Sequence, residues 1–128
     1  MPSTRIETRT GWINGRHEAL IAAVQSALVE AIRIPPADRD IRILEYPADA
    51  FAPPAGRADN AVLIEISMFR GRSVEAKRRL YAALSHELAS FGVTGDNVKV
   101  LIHDVDRENW GLGGISFADM DPGFKIDV

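Results

Sequence analysis

Four groups of residues in this sequence have the chemistry of an acid–base site. The first is Pro2, directly after the initiator methionine. Methionine is normally trimmed when a small residue follows, and trimming here leaves a secondary amine on a rigid ring. A plain α-amino group titrates near ~8. Burial or nearby arginines lower that value and yield a base at neutral pH; a neighbouring carboxylate raises it and yields an acid. With Met1 retained, the same nitrogen is an amide and has neither role. The second group is Arg70-Gly71-Arg72, just before Ser73. Two cations at the start of a helix sit where the helix already presents partial positive charge, so a negative counterpart is needed. A guanidinium fork holds a carboxylate with two hydrogen bonds, and Gly71 would let both side chains face one cavity. The plainer reading is a solvated pair, or partners for the chain's own acidic residues.

The third candidate is Asp38, in Pro35-Pro36-Ala37-Asp38-Arg39-Asp40. It can orient a water or hydrogen-bond the amine of Pro2, although aspartate at such a place also simply forms turns. The fourth is Glu108-Asn109-Trp110-Gly111-Leu112-Gly113-Gly114, where Trp110 and Leu112 can form an apolar wall and the glycines a tight reversal. That glycine spacing does not fit a phosphate-cradling loop, and no lysine follows. His17, His86 and His103 have no metal-ligand spacing.

Composition narrows the chemistry further. The chain of 128 residues has the length of a single domain. Without cysteine there are no disulfides, thiolate nucleophiles or Cys-type zinc sites. A net charge of −3 gives no general attraction to nucleic acid or anionic membrane, so any anion site must be local. No apolar run approaches the roughly 20 residues that span a bilayer, and no signal pattern opens the chain. A cytoplasmic protein with neither nucleic-acid nor membrane partner is the expectation.

The elements that must position these residues follow from periodicity. Pro2 to Arg9 reads as a short strand carried by Ile6 alone. Residues from about Asn14 to Arg33 read as a helix, with Leu20, Ile21, Val24, Leu28 and Ile32 on one stripe and Arg16, Glu18, Gln25 and Glu30 largely off it. Pro35-Pro36 end it. Asp40 to Tyr46 is a strand. Pro47 to Asn60 is a loop, and the nearly continuous apolar run Ala61 to Phe69 is a central strand. Ser73 caps a second helix that runs to about Phe91, with Gly92 at its stop. Val98 to Ile102 is a fourth strand, Asp104 to Gly114 a polar loop, and Ile115 to Val128 a hairpin or an arm. Arg5-Ile6-Glu7 corresponds to Leu63-Ile64-Glu65, and Ile41-Arg42-Ile43-Leu44 to Val98-Lys99-Val100-Leu101, which suggests an internal repeat.

The predicted architecture is a single α+β domain over 1–128: one β-α-β unit at about 2–47, a second at about 60–103, and a loop and arm at 104–128. Parallel strands within each unit give a four-stranded sheet with both helices on one face. Apolar residues on the bare face would then need a partner chain.

Taken together, these pieces resemble the tautomerase superfamily, and most closely its malonate semialdehyde decarboxylase branch. The match covers nearly the whole chain: the proline after Met1, Ile34-Pro35-Pro36-Ala37-Asp38-Arg39, Arg70-Gly71-Arg72-Ser73 before Glu75-Ala76-Lys77, and Glu108 to Gly114. The resemblance implies a homotrimer with sites near subunit boundaries and no cofactor or metal. It assigns Pro2 as the catalytic amine and Asp38 as the catalytic aspartate. Arg70 and Arg72 would hold a substrate carboxylate, and Trp110 and Leu112 would form the apolar wall. In that branch the substrate is a 3-oxo acid such as malonate semialdehyde, whose carbonyl a protonated Pro2 polarises while carbon dioxide leaves. A neutral Pro2 would instead catalyse keto–enol tautomerisation. A water activated by Asp38 would serve a hydratase or dehalogenase. The alternative from another class is a non-catalytic trimer that binds a small carboxylate, which a retained Met1 would favour.

Overall fold

The computed structural model describes residues 1–128. Its order is β1 (Ser3–Arg9), α1 (His17–Ile32), β2 (Ile41–Tyr46), β3 (Val62–Phe69), α2 (Val74–Ala89), β4 (Val98–Val105), then a small hairpin of β5 (Gly111–Leu112) and β6 (Ile115–Ser116). The sheet order is β2-β1-β3-β4, parallel within each β-α-β unit and antiparallel where the units meet. This is the predicted α+β fold, with α1 and α2 packed together on one face. At the centre Ile6 lies opposite Ile64; Ile6 also pairs with Ile43 and Ile64 with Val100. The ladder therefore repeats the correspondence seen in the sequence.

One stripe of each helix and alternate residues of each central strand build the core. Leu20, Val24, Leu28 and Ile32 of α1, and Ala76, Leu80, Leu84 and Leu88 of α2, close over Ile6, Val62, Ile64, Ile66 and Met68. The i, i+4 spacing of the helical set keeps it on one face. β1 is central although only Ile6 is large and apolar on its inner face. Thr4 and Thr8 flank it, fully buried. Thr8 Oγ1 donates to the Ala61 carbonyl at 2.8 Å and accepts from Trp12 Nε1 at 2.8 Å, which meets its needs without water.

Several boundaries differ from expectation, and α2 ends at Ala89 rather than Phe91. Helix α1 begins at His17 rather than Asn14, because Asn14 (φ 50) and Gly15 (φ 79) both occupy the left-handed region and cannot extend it. It ends at Ile32, before the prolines, where Arg33 turns left-handed (φ 56) and donates its N–H to the Val29 carbonyl. Strand β4 continues three residues past Ile102 to Val105, paired against Ser67, Met68 and Phe69. Asp104 is thus part of the sheet and not of the following loop.

The bare face carries both polar and apolar side chains. Arg5 donates to Glu65 at 2.8 Å and His103 contacts the same carboxylate at 3.2 Å, so a polar row built on one ion pair crosses the middle of the sheet. Leu44, Leu63 and Leu101 share this face with it, and Leu101 is 40% exposed. No helix is long and apolar enough to cross a membrane.

The central pair makes the fold testable. Ile64→Ala removes a fully buried side chain from the middle of the sheet, and should cost about 2–5 kcal/mol in denaturant unfolding at fixed protein concentration. A loss below about 1 kcal/mol would contradict the packing described.

Candidate functional site

Antiparallel pairing of β1 with β3 sets Ser3 opposite Ser67, so the start of one strand and the end of the other share one end of the sheet. The turn before β2 and the end of β4 reach the same end, because each pairs in parallel with its neighbour. The topology thereby gathers Pro2, Asp38, Arg72 and Asp104 from four separate stretches.

Asp38 is held by its backbone. Its N–H donates to the Pro35 carbonyl at 2.9 Å, closing a turn. The Gln25 side-chain amide then clamps that turn to α1, donating to the carbonyls of Asp38 at 2.9 Å and Pro36 at 3.2 Å. Gln25 is buried. This corrects its expected place off the buried face: the turn before β2 folds back over it. Asp38 Oδ2 is itself buried and has no hydrogen-bond partner; it faces the amino-terminal amine at 3.6 Å, a charge–charge contact longer than a hydrogen bond.

The two arginines diverge. After β3, Gly71 takes φ 137, a conformation that L side chains rarely adopt, and the neighbouring side chains leave on opposite sides. Arg70 points to solvent, 62% exposed, and its Nε donates to Asp106 at 2.7 Å. Arg72 turns inward and is 6% exposed. The expectation that both face one cavity is corrected for the single chain, since Arg70 has found an acidic partner of its own. Arg72 has not. Its NH1 donates to the Phe69 carbonyl at 3.2 Å, while Nε and NH2 have no partner.

Unmet hydrogen-bonding capacity collects around this guanidinium. Thr4 Oγ1, Asp38 Oδ2 and Asp104 Oδ1 are likewise buried and unpartnered, while Asp104 Oδ2 accepts from Lys77 Nζ at 2.6 Å. Buried polar atoms are nearly always satisfied, and each orphan costs about 1–3 kcal/mol. Four residues with orphaned atoms at one end of one sheet therefore define a polar site suited to a ligand with both charge and hydrogen-bonding atoms. Burial lowers the Arg72 pKa, and the charges of Asp104 and Asp38 oppose that shift. Burial likewise lowers the pKa of the terminal amine below 8.0; Asp38 pulls it back up, and Arg72 pushes it down again.

The apolar wall is half formed. Trp110 is partly buried, edge-on to Phe69 at 5.0 Å, and so anchored beside the residue preceding Arg70. Leu112 sits in the hairpin opposite Ile115, 54% exposed. The carboxy-terminal segment supplies an aromatic that the pattern did not flag: Phe124 lies 6.0 Å from the Arg72 guanidinium, and Ile126 packs against Gly71. A lone phenylalanine among Asp, Pro, Gly and Lys was the available signal. No three His, Asp or Glu side chains converge as metal ligands.

A two-unit β-α-β sheet with an amine, a carboxylate and a buried guanidinium at one end defines a class of small acid–base proteins. The tautomerase enzyme family matches residues 38–113, and the chain belongs to that family. It is 39% identical to 2-hydroxymuconate tautomerase of Comamonas testosteroni over 57 residues, which are 44% of this chain and 90% of that one. Nearly all of that shorter relative thus spans the length of one β-α-β unit here. The chain is 24% identical over 119 residues to the probable tautomerase YusQ of Bacillus subtilis strain 168, covering 88% of this chain and 94% of that one. Among solved structures it resembles a malonate semialdehyde decarboxylase inhibited by 3-bromopropiolate (TM-score 0.79, 30% identity, 91% of this chain and 92% of that one). It also resembles the native fused 4-OT (TM-score 0.84, 26% identity, 92% and 98%).

The electrostatics predict how the amine titrates. In the chain that retains Met1, acylation of the terminal amine should follow a midpoint below 8.0. Asp38→Asn removes the charge that raises this pKa and should move the midpoint lower still. pH-dependent labelling read by mass spectrometry checks the sign, and an upward shift would contradict the geometry.

Proposed function

We propose that this protein is a cofactor-free enzyme that uses the amine of Pro2, uncapped by loss of Met1, to decarboxylate a small 3-oxo acid such as malonate semialdehyde. The observation that carries this reading is the buried Arg72 guanidinium with two unpartnered N–H groups beside Asp38 and the amino terminus. Arg72 would take the substrate carboxylate in a forked grip. Arg70, Trp110 and Leu112 complete the proposed site, Arg70 by exchanging Asp106 for substrate.

The chemistry asks for a positive charge at the carbonyl oxygen. As the bond between the carboxylate and C2 breaks, its electron pair becomes an enolate, and carbon dioxide departs. The Pro2 ammonium stabilises the oxygen of that enolate, and C2 then takes a proton. Asp38 supports the ammonium form as its counter-charge. A bound carboxylate on Arg72 does the same, because it cancels the cation that otherwise depresses the amine. The 30% identity to a malonate semialdehyde decarboxylase over 91% of the chain supports the reaction type.

A second reading rests on a separate observation. In the chain that keeps Met1, burial and Arg72 outweigh Asp38 and lower the pKa of the Met1 amine, and a Pro2 amine one residue further in would meet the same three influences. A neutral Pro2 moves a proton between carbon and oxygen, which is keto–enol tautomerisation, and the likeness to 2-hydroxymuconate tautomerase supports it.

Assembly is part of the proposal. The solved fused 4-OT structures include trimers, one of them 26% identical to this chain over 91% of its length. We take this chain to be a homotrimer in which the Leu101 part of the bare sheet face and Leu112 are covered by neighbouring copies.

Pro2→Ala should abolish most turnover of malonate semialdehyde while gel filtration still shows a trimer. Intact mass from the native host should lack one methionine; a retained Met1 would overturn the amine's role. Arg72→Ala should lower kcat/KM by about 100- to 1,000-fold, and Arg70→Ala by about tenfold or less, as expected of a solvent-exposed ion pair. Activity on an enol-pyruvate and none on 3-oxo acids would favour the second reading.

A further inference from the structure

The sheet has two ends, and the site above uses one of them. The ladders relate the ends: the pair Thr4–Ile41 corresponds to Val62–Val98 across the centre marked by Ile6 and Ile64. Asn60 therefore stands where Pro2 stands in the first half. The turn carrying Asp38 before β2 has its counterpart in Gly95–Asn97 before β4, with Asp96 in it. Trp110 is the extended residue after the short 3-10 helix that follows β4; Phe51 is the extended residue after the short 3-10 helix that follows β2.

At this second end a cavity of about 580 Å³ lies between the loop bearing Phe51, Pro53 and Arg57 and the starts of β3 and β4. Its walls are tied together. Asn97 is buried; its side-chain oxygen accepts from the Ala58 N–H at 2.8 Å, and its amide donates to Thr94 Oγ1 at 2.9 Å. Asp96 is occupied as well, accepting the Thr94 hydroxyl at 2.6 Å. The two cations of the lining, Arg57 and Lys99, form no ion pair with any residue of the chain. Asp96 also lines the cavity and its charge is felt by Arg57, which leaves two cations against one carboxylate; with the aromatic wall, that excess positive charge is the complement of an anion with an apolar body.

We propose that this cavity is a second binding site, for a small carboxylate with a flat apolar body. Arg57 and Lys99 hold the carboxylate, and Phe51 and Pro53 take the body. The site binds without turnover. The nitrogen of Asn60 lies within a continuous chain as a peptide amide, so no amine arises there. This inference does not depend on the role of Pro2.

Benzoate, which has no oxo group, is the probe. Titrated into ¹⁵N-labelled protein, it should produce saturable shifts at the amides of Phe51, Arg57 and Lys99, and its neutral analogue benzamide should not. Arg57→Ala with Lys99→Ala should weaken that binding by about tenfold or more. Both side chains are exposed, and unchanged circular dichroism will verify the fold; Lys99→Gln alone should give part of the loss. Responses at Asp38 and Arg72 should match those of the parent protein. Four results would overturn the proposal: no shifts at this end by about 20 mM benzoate, shifts confined to the Arg72 end, equal binding of benzamide, or binding that survives the double substitution.

Discussion

Antiparallel pairing between β1 and β3 decides where everything else in this molecule can be. Each unit alone would bring together only its own strand ends. Joining them through Ile6 and Ile64 in opposite senses places the start of β1 beside the end of β3. The amino terminus, the Asp38 turn, Arg72 and Asp104 are distant in sequence and become neighbours through that one choice of direction. The core supports it, since the residues that hold the two strands in register are also those over which both helices close.

That gathering has an electrostatic cost, and the cost explains the site. Burying a guanidinium demands partners, yet Arg72 is offered one carbonyl and two carboxylates that approach without hydrogen-bonding it. Lys77 occupies one oxygen of Asp104, and Gln25 fixes the backbone around Asp38 while leaving its carboxylate free. The positions of these charges are thus set by groups outside the site. A preorganised, incompletely satisfied cluster of this kind stabilises charge that arrives later better than a relaxed one would.

Much of this was legible in the sequence, for physical reasons. Helical stripes, the proline stop, the Ser73 cap and the correspondence of Ile6 with Ile64 gave the order of elements and both β-α-β units. Pro2 and the Arg70–Arg72 pair stood out as candidates because their residue types were unusual for their places, whereas Asp38 read equally well as a turn former and came forward through the resemblance. What escaped were properties created by tertiary contact. Gln25 looked solvent-facing because only the folded-back turn covers it. Asp104 looked like loop because periodicity does not reveal that β4 follows β3 to its end. Arg70 and Arg72 looked equivalent because the φ of Gly71, which sends them apart, has no signature beyond the glycine itself.

The near-symmetry of the sheet has an evolutionary corollary. In a protein whose subunit is a single β-α-β unit, a codon change is copied into every unit of the assembly. Here the two ends are encoded separately. A mutation at Asn60, Phe51 or Lys99 leaves Pro2, Trp110 and Arg42 untouched, so one end is free to drift toward new partners while selection holds the other.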